Sequence, residues 1–238
     1  MSAQMALFGN MGNVFLIMNN EIIPEVKIYQ IRVYIRQISP LIWRRFLVRS
    51  DSTIADLHHT LQLVFGWGNF HLHQFLIRGK SYGIAYAGGI SFSDNSNKVK
   101  LEQFNFGSNE RFVYEYNFNV GWELEVRVEK TFPLNPKKIY PVCIGGEKTS
   151  PNEDCDGPLA YMELRKSHSI FMIEDRIVDI LTDEELTNEE KIEECQYQAG
   201  TLFYWSNREE YNRIKINERL KRFALKEKNW EEPFEEVF

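Results

Sequence analysis

The chain has 238 residues, of which 43% are hydrophobic and 14% aromatic, and it carries 28 Lys and Arg against 34 Asp and Glu. This apolar content is sufficient for a packed core, which excludes wholesale disorder, and the length suits one large domain or one domain with appendages. No stretch approaches the ~20 apolar residues that cross a bilayer. The net charge of −6 disfavours a general polyanion-binding surface, although it leaves room for a local basic patch.

The cysteine content points to a reducing compartment. Cys143, Cys155 and Cys195 are too few, and odd in number, for a secreted disulfide framework. The N-terminus has no basic region ahead of its apolar residues, which argues against a signal peptide. We therefore expect a cytoplasmic protein with reduced thiols and no membrane attachment, while the sequence leaves the oligomeric state open.

The first half of the chain begins with extended segments. Residues 1–24 are rich in Asn and Met and are predicted to form a leader outside the main fold. Tyr29–Ile35 alternates apolar and polar residues, which is typical of a half-buried strand. Trp43–Val48 is predicted to be its antiparallel neighbour. Thr53–Phe65 then changes to helical spacing, with a cap at Ser52 or Thr53 and a stop at Gly66.

Three more strands are predicted after this helix, at His71–Arg78, Arg111–Phe118 and Trp122–Val128, the last two joined by a hairpin turn. Residues 133–158 contain five of the eight prolines and are predicted to form a long loop. Such loops are commonly functional or disordered.

The remaining chain is helical in character, at residues 159–167, 183–198 and 208–225. The sequence thus predicts an α+β domain over 25–225, an antiparallel sheet with helices mainly in the C-terminal part, followed by an acidic and aromatic tail at 226–238.

Four residues are candidate metal ligands. His71 and His73 are two apart in a strand and share one face, so that two imidazoles could bind one ion. Cys143 and Cys155 could complete a zinc site if the long loop folds over that strand, although their spacing is not that of a zinc knuckle. The alternative for all four is a structural role: hydrogen-bonded histidines at a sheet edge and thiols that fix a loop.

The tail is a candidate partner-binding segment. Trp230, Phe234 and Phe238 recur every four residues among glutamates, although Pro233 argues against an uninterrupted helix. Exposed aromatic rings among acids could bind a partner, and the alternative is that they pack back onto the domain. The acidic residues of the long loop are a weaker candidate for Mg²⁺ or Ca²⁺, with a solvated loop as the alternative.

Several segments in order resemble the plasmid pRiA4b ORF-3-like family: IYQIRVYIRQISPLIWRRFLV, IADLHHTLQLVFGWGNFHLHQFLIRGKSYG, FVYEYNFNVGWELEVRVEK, YPVCIGGEKTSPNEDCDGPLAYMEL and YNRIKINERL. The resemblance runs from about Lys27 to Leu220. It implies an α+β domain and an association with mobile DNA, and it brings no established biochemical activity.

The chain also departs from the family pattern. Asn117 and Leu124 stand in a run where the family tends to have acids and a histidine, and Ser150 replaces a frequent cysteine. Since general acid or base catalysis needs a titratable group, these changes favour binding over catalysis. The leading hypothesis is a non-catalytic adaptor that contacts a protein partner. The alternatives are a metal-assisted hydrolase using His71, His73 and the Cys143–Cys155 loop, and a nucleic-acid-binding accessory protein of a mobile element.

Overall fold

A computed structural model describes residues 7–10, 13–18, 21–85, 90–207, 211–228 and 230. For the described residues between 7 and 24, and for residues 204, 206 and 207, it describes the backbone only. The first three strands form a small antiparallel sheet of their own: β1 (Leu7–Asn10), β2 (Asn13–Met18) and β3 (Glu21–Pro24). These strands lie in the segment that the sequence predicts to be a leader, and they are not part of the main sheet.

An eight-stranded sheet forms the centre of the protein, in the order β11-β5-β4-β10-β9-β6-β7-β8. Its strands are β4 (Lys27–Ile35), β5 (Trp43–Arg49), β6 (His73–Ile77), β7 (Lys80–Gly83), β8 (Asp94–Asn95), β9 (Glu110–Tyr116), β10 (Trp122–Pro133) and β11 (Val142–Glu147). Every pair is antiparallel except the short β7–β8 pair.

The described helices are α1 (Ile54–Phe65), α2 (Gly157–Ser167), α3 (Ile170–Thr182), α4 (Asn188–Asn207) and α5 (Arg213–Ala224), with a short 3-10 helix at Leu101–Phe104. Four of the five α-helices follow the last strand. The predicted α+β class, with helices mainly in the C-terminal part, is therefore confirmed.

Local sequence explains the best-defined elements. The side chain of Thr53 accepts from the backbone N–H of Asp56, and the Asp56 carboxylate accepts from the backbone N–H of Thr53, which completes the capping box of α1. Gly66 ends the helix in the left-handed conformation, with φ of 73°. In β4 the apolar residues alternate toward the interior, where Ile31, Val33 and Ile35 are fully buried.

Two features differ from the sequence prediction. The long loop contains a strand, β11, which pairs with β5 across an irregularity between Cys143 and Gly145. The two adjacent glycines and nearby prolines hide a strand from pattern analysis. The second difference is α3, a helix that the sequence analysis does not predict. Ser169 caps its start, because its side-chain oxygen accepts a hydrogen bond from the backbone N–H of Met172.

Candidate functional site

The predicted ligand His73 is half-buried between α1 and the sheet. Its ring stacks on that of His58, with centroids 3.5 Å apart and planes at 4°. His58 is hydrogen-bonded through Nδ1 to the Tyr114 hydroxyl (2.8 Å) and through Nε2 to the Asn69 side-chain oxygen (2.7 Å). The stack therefore joins the first helix to strands β6 and β9.

Burial keeps this pair uncharged at neutral pH. Desolvation, with the nearby charge of His59, lowers the pKa of His73 to about 4. Desolvation, followed by the charges of His73 and His59, holds the pKa of His58 well below its usual value. The two stacked neutral imidazoles act as packing groups: His58 is hydrogen-bonded through both ring nitrogens, whereas Nε2 of His73 has no hydrogen-bond partner among the described residues.

His71 precedes β6 and ties the long loop to the sheet. Its Nε2 lies 3.2 Å from Oδ1 of Asp154, and its ring meets Tyr116 edge-on with centroids 5.6 Å apart. The neighbouring Glu153 is buried and accepts hydrogen bonds from the Tyr116 hydroxyl and the backbone N–H of Gly68. Glu153 is therefore a structural anchor, in contrast to the solvated acidic loop that the sequence suggested.

Two tryptophans complete the attachment of this loop. The Trp67 indole N–H donates to the carbonyl of Pro151 (3.1 Å), and the Trp122 indole N–H donates to the carbonyl of Glu153 (2.9 Å). Because both indoles are buried, these bonds fix the loop backbone over the end of the sheet. We call the group formed by His58, His73, Tyr116, Trp122 and Glu153 the polar core.

The two candidate cysteines have different surroundings. Cys143 on β11 is buried, with Sγ 3.0 Å from the Tyr211 hydroxyl. Its backbone is clamped by the Asn217 side chain, which accepts from the N–H (2.7 Å) and donates to the carbonyl (2.9 Å). Cys155 is half-buried in the loop before α2, and desolvation raises the pKa of its thiol.

The structure does not gather the four candidate ligands. Four strands stand between β11, which carries Cys143, and β6, which carries His73. Throughout the described part of the chain, no group of three or more His, Cys, Asp or Glu is arranged to hold a metal ion. The geometry therefore supplies no ligand set for the zinc site or the metal-assisted reaction.

The predicted partner-binding tail is only partly described. The Trp230 ring packs against Phe223 (centroids 4.7 Å apart) and edge-on to His59 (5.0 Å). This arrangement matches the alternative in which the tail folds back onto the domain. Phe234 and Phe238 lie outside the described residues, so their role stays a prediction.

Arg44 and Arg45, a basic pair beside Trp43, are both engaged internally. Arg44 is 2% exposed and donates to backbone carbonyls, including that of Val64 (2.9 Å). Arg45 binds the carboxylate of Glu129 through two hydrogen bonds of 2.7 and 3.0 Å. Because both guanidinium groups are bound within the protein, neither supports the nucleic-acid-binding alternative.

The sequence analysis predicts a helix at 183–198, which corresponds to α4, but it misses α3 and the exposed apolar surface of the two helices, which pack against each other and which we call the hairpin. Only Ile173 among the apolar residues of α3 is fully buried. Large apolar side chains on both helices are at least one-third exposed: Ile170, Phe171, Met172, Val178, Leu181, Ile192, Tyr197 and Phe203. The composition of IFMIEDRIVDILT could have indicated this exposed surface. Its apolar residues extend beyond the single stripe that an amphipathic surface helix buries.

The hairpin is also strongly acidic. Between Ile170 and Phe203 there are ten Asp and Glu and two Lys and Arg, giving a net charge of −8. Since the whole chain has a net charge of −6, the remainder carries +2 (−6 minus −8). The hairpin therefore accounts for the acidity of the protein and combines exposed apolar side chains with carboxylates.

No helix in the described part of the chain has the length and apolar character needed to span a membrane.

Comparison with known proteins gives relatives without assigned activities. The family described as plasmid pRiA4b ORF-3-like protein matches residues 27–192. An uncharacterized protein, y4hQ, from Sinorhizobium fredii (strain NBRC 101917 / NGR234) is 28% identical over 137 residues, covering 57% of this chain and 70% of the relative. The crystal structure of a protein of unknown function, MM3350 from Methanosarcina mazei Go1, matches with a TM-score of 0.57 and 26% identity, covering 80% of this chain and 97% of that one.

Proposed function

Because the chain belongs to the plasmid pRiA4b ORF-3-like family, which brings no assigned reaction, we propose a function from its surface: a non-catalytic cytoplasmic adaptor that binds a protein partner through the hairpin. One observation carries the proposal, the exposure of large apolar side chains on α3 and α4. Phe171 is 74% exposed and Phe203 is 71% exposed. Large apolar side chains that are exposed together on one part of a domain commonly mark an interaction surface.

The charge of the hairpin defines the class of partner. Its net charge of −8 would repel acidic surfaces and attract basic ones, while its apolar side chains need an apolar counterpart. A basic amphipathic helix meets both requirements, because it presents an apolar stripe flanked by Lys or Arg. We therefore propose such a segment, in a protein of the same cell, as the occupant of the hairpin.

The state of the cysteines supports the cytoplasmic part of the proposal. Cys143, Cys155 and Cys195 are all free. Free thiols persist in reducing compartments, where disulfides are rare.

The test measures binding of a defined probe to the full chain by fluorescence anisotropy. The probe is a labelled amphipathic helix about 18 residues long, with Leu on one face and Lys on the other. We expect wild-type binding that weakens with salt, and a Kd at least about tenfold higher for the double variant Phe171→Ser, Phe203→Ser, because two apolar contacts are lost.

Two controls make the experiment decisive. Phe70→Ser removes a phenylalanine that is 82% exposed outside the hairpin, and it should leave the Kd unchanged. A second peptide carries Glu in place of every Lys and should not bind. Equal binding of the two peptides, or no binding of the basic one, would contradict the proposal.

A further inference from the structure

Four arginines form a row across the main sheet, which we call the arginine row. The strand register places Arg32 of β4 opposite Arg45 of β5 on one side and opposite Arg127 of β10 on the other. Arg127 in turn lies opposite Arg111 of β9. Residues directly opposite each other on antiparallel strands project from the same face of the sheet. With neighbouring strands about 4.8 Å apart, the arginine row is about 14 Å long.

The arginine row lies on the face of the sheet that is turned away from the core. Ile31 and Val33, the neighbours of Arg32 along β4, are fully buried on the other face. The four arginines are instead half-buried or exposed. Like charges directly opposite each other destabilise a sheet, so that three successive Arg–Arg pairs work against its stability.

Carboxylates neutralise the two outer arginines of the row. Arg45 binds Glu129 through two hydrogen bonds, and Nη1 of Arg111 lies 3.2 Å from Oε1 of Glu125. Glu125 also lies 3.6 Å from Arg36. Both carboxylates are thus already engaged by a cation at the ends of the row or beside it.

Neutral groups hold the two inner arginines, Arg32 and Arg127. The Arg32 guanidinium lies over the Trp43 ring, 5.0 Å from its centroid. Arg127 donates two hydrogen bonds to the side-chain oxygen of Asn109 (3.1 and 2.6 Å). In the described part of the chain neither guanidinium forms a salt bridge, and the charge of Arg32 acts on Glu129 only at longer range. A ring and an amide therefore orient the inner pair without cancelling its charge.

The inner pair has the charge and the donors for a phosphate. Guanidinium groups present several N–H donors in a fork that matches phosphate and carboxylate oxygens. A phosphate monoester carries a charge of about −1.5 to −2 at pH 7, which balances two guanidinium groups, whereas a carboxylate balances one.

We propose that Arg32 and Arg127 bind the phosphate group of a phosphate monoester, carried either by a small free molecule or by a phosphorylated side chain. Binding would also remove the repulsion between the two opposite arginines. This inference is independent of the proposed adaptor role, since it concerns side chains of the sheet and none of the hairpin.

The experiment is an NMR titration of the full chain that observes the arginine Nε–H signals. Inorganic phosphate should shift the signals of Arg32 and Arg127 to saturation with a Kd below about 10 mM. Acetate should bind at least about tenfold more weakly, because it carries a single charge.

A phosphoserine peptide, with Gly and Ser at its other positions, distinguishes the two sources of the phosphate. Tighter binding than that of inorganic phosphate indicates a phosphorylated side chain, and equal or weaker binding indicates a small free ester. Absence of saturation with both probes would overturn the proposal. An oligonucleotide without terminal phosphates that binds more tightly than both would overturn it in favour of a surface for nucleic-acid strands.

Matched variants locate the site. Arg32→Gln and Arg127→Gln should each raise the Kd for phosphate at least about tenfold, as read from the signal of the remaining arginine. Lys221→Gln removes the same charge from an exposed residue of α5, a helix that packs against α1 and β11, and should change the Kd less than about twofold. An equal change in all three variants, or unchanged binding in the two arginine variants, would overturn the proposal. If thermal melting shows that Arg32→Gln does not fold, Arg127→Gln gives the same decision.

Discussion

The polar core and the hairpin reverse the usual distribution of side chains. In the polar core an imidazole, a carboxylate and an indole are buried, whereas in the hairpin two phenylalanines and a leucine are more than half exposed. Buried polar groups that are hydrogen-bonded, as His58 and Glu153 are, help to specify one arrangement of the chain. His73 contributes through its stacked ring, since its Nε2 has no hydrogen-bond partner among the described residues. Exposed apolar groups contribute little to folding and are available for association. The titratable and aromatic residues of the polar core therefore stabilise the fold, while the exposed apolar residues of the hairpin form the candidate binding surface.

The largest expected change in the free energy of unfolding comes from truncating a buried side chain of the polar core. Trp122 is fully buried and donates to the Glu153 carbonyl. Trp122→Ala should lower the free energy of unfolding by about 3–5 kcal/mol, because it leaves a cavity and detaches the loop. Urea denaturation followed by circular dichroism measures the change. A loss below about 1 kcal/mol would mean that this region is not part of the cooperative core.

The second effect concerns pH and the stacked histidines. An unfolded histidine takes up a proton near pH 6.5, but His73 in the fold does so only at about pH 4. The unfolded state binds more protons in this window, so stability is lost as pH falls from 6.5 to 4. For His73 the loss is about 3 kcal/mol. His58 acts in the same direction.

Comparison with His73→Phe isolates this contribution, since the variant keeps a ring beside His58 and removes one titrating group. Urea titrations at several pH values should give a smaller slope of stability against pH for the variant. The same slope in both proteins would show that His73 does not titrate differently in the folded and unfolded states.

The smallest effect is expected in the hairpin. Phe171→Ser should change the free energy of unfolding by less than about 0.5 kcal/mol, because the ring is already 74% exposed. Thermal melting provides the measurement, with Ile173→Ser as the comparison, since Ile173 is 1% exposed on the same helix. A large loss for Phe171→Ser would mean that its ring is covered within the folded protein.

Local signals explain which elements were predictable. The capping box at Thr53 and Asp56, the stop at Gly66 and the alternation in β4 all act over a few residues, and the sequence analysis identifies α1 and β4 from them. β11 was missed because its pairing with β5 depends on residues nearly a hundred positions away, and its own glycines have low strand propensity.

The candidate site was harder to predict than the fold. A two-residue spacing correctly places His73 on the same face as Phe75, but the ring that it meets comes from α1, and no pattern within β6 contains that information. The same applies to Cys143, whose neighbours Tyr211 and Asn217 lie far along the chain. For the hairpin, composition indicates surplus apolar residues, while only tertiary packing decides which of them stay uncovered.

The clamp on Cys143 has a consequence for how this protein can associate. β11 is a terminal strand of the main sheet, and such strands expose backbone groups that can recruit a strand from another molecule. The Asn217 amide occupies both the N–H and the carbonyl of Cys143, as a neighbouring strand would. The side chain of Asn217 on α5 thus blocks the pairing of another strand with β11 at Cys143. A strand from another molecule could pair there only after it displaced the Asn217 amide from both of its hydrogen bonds.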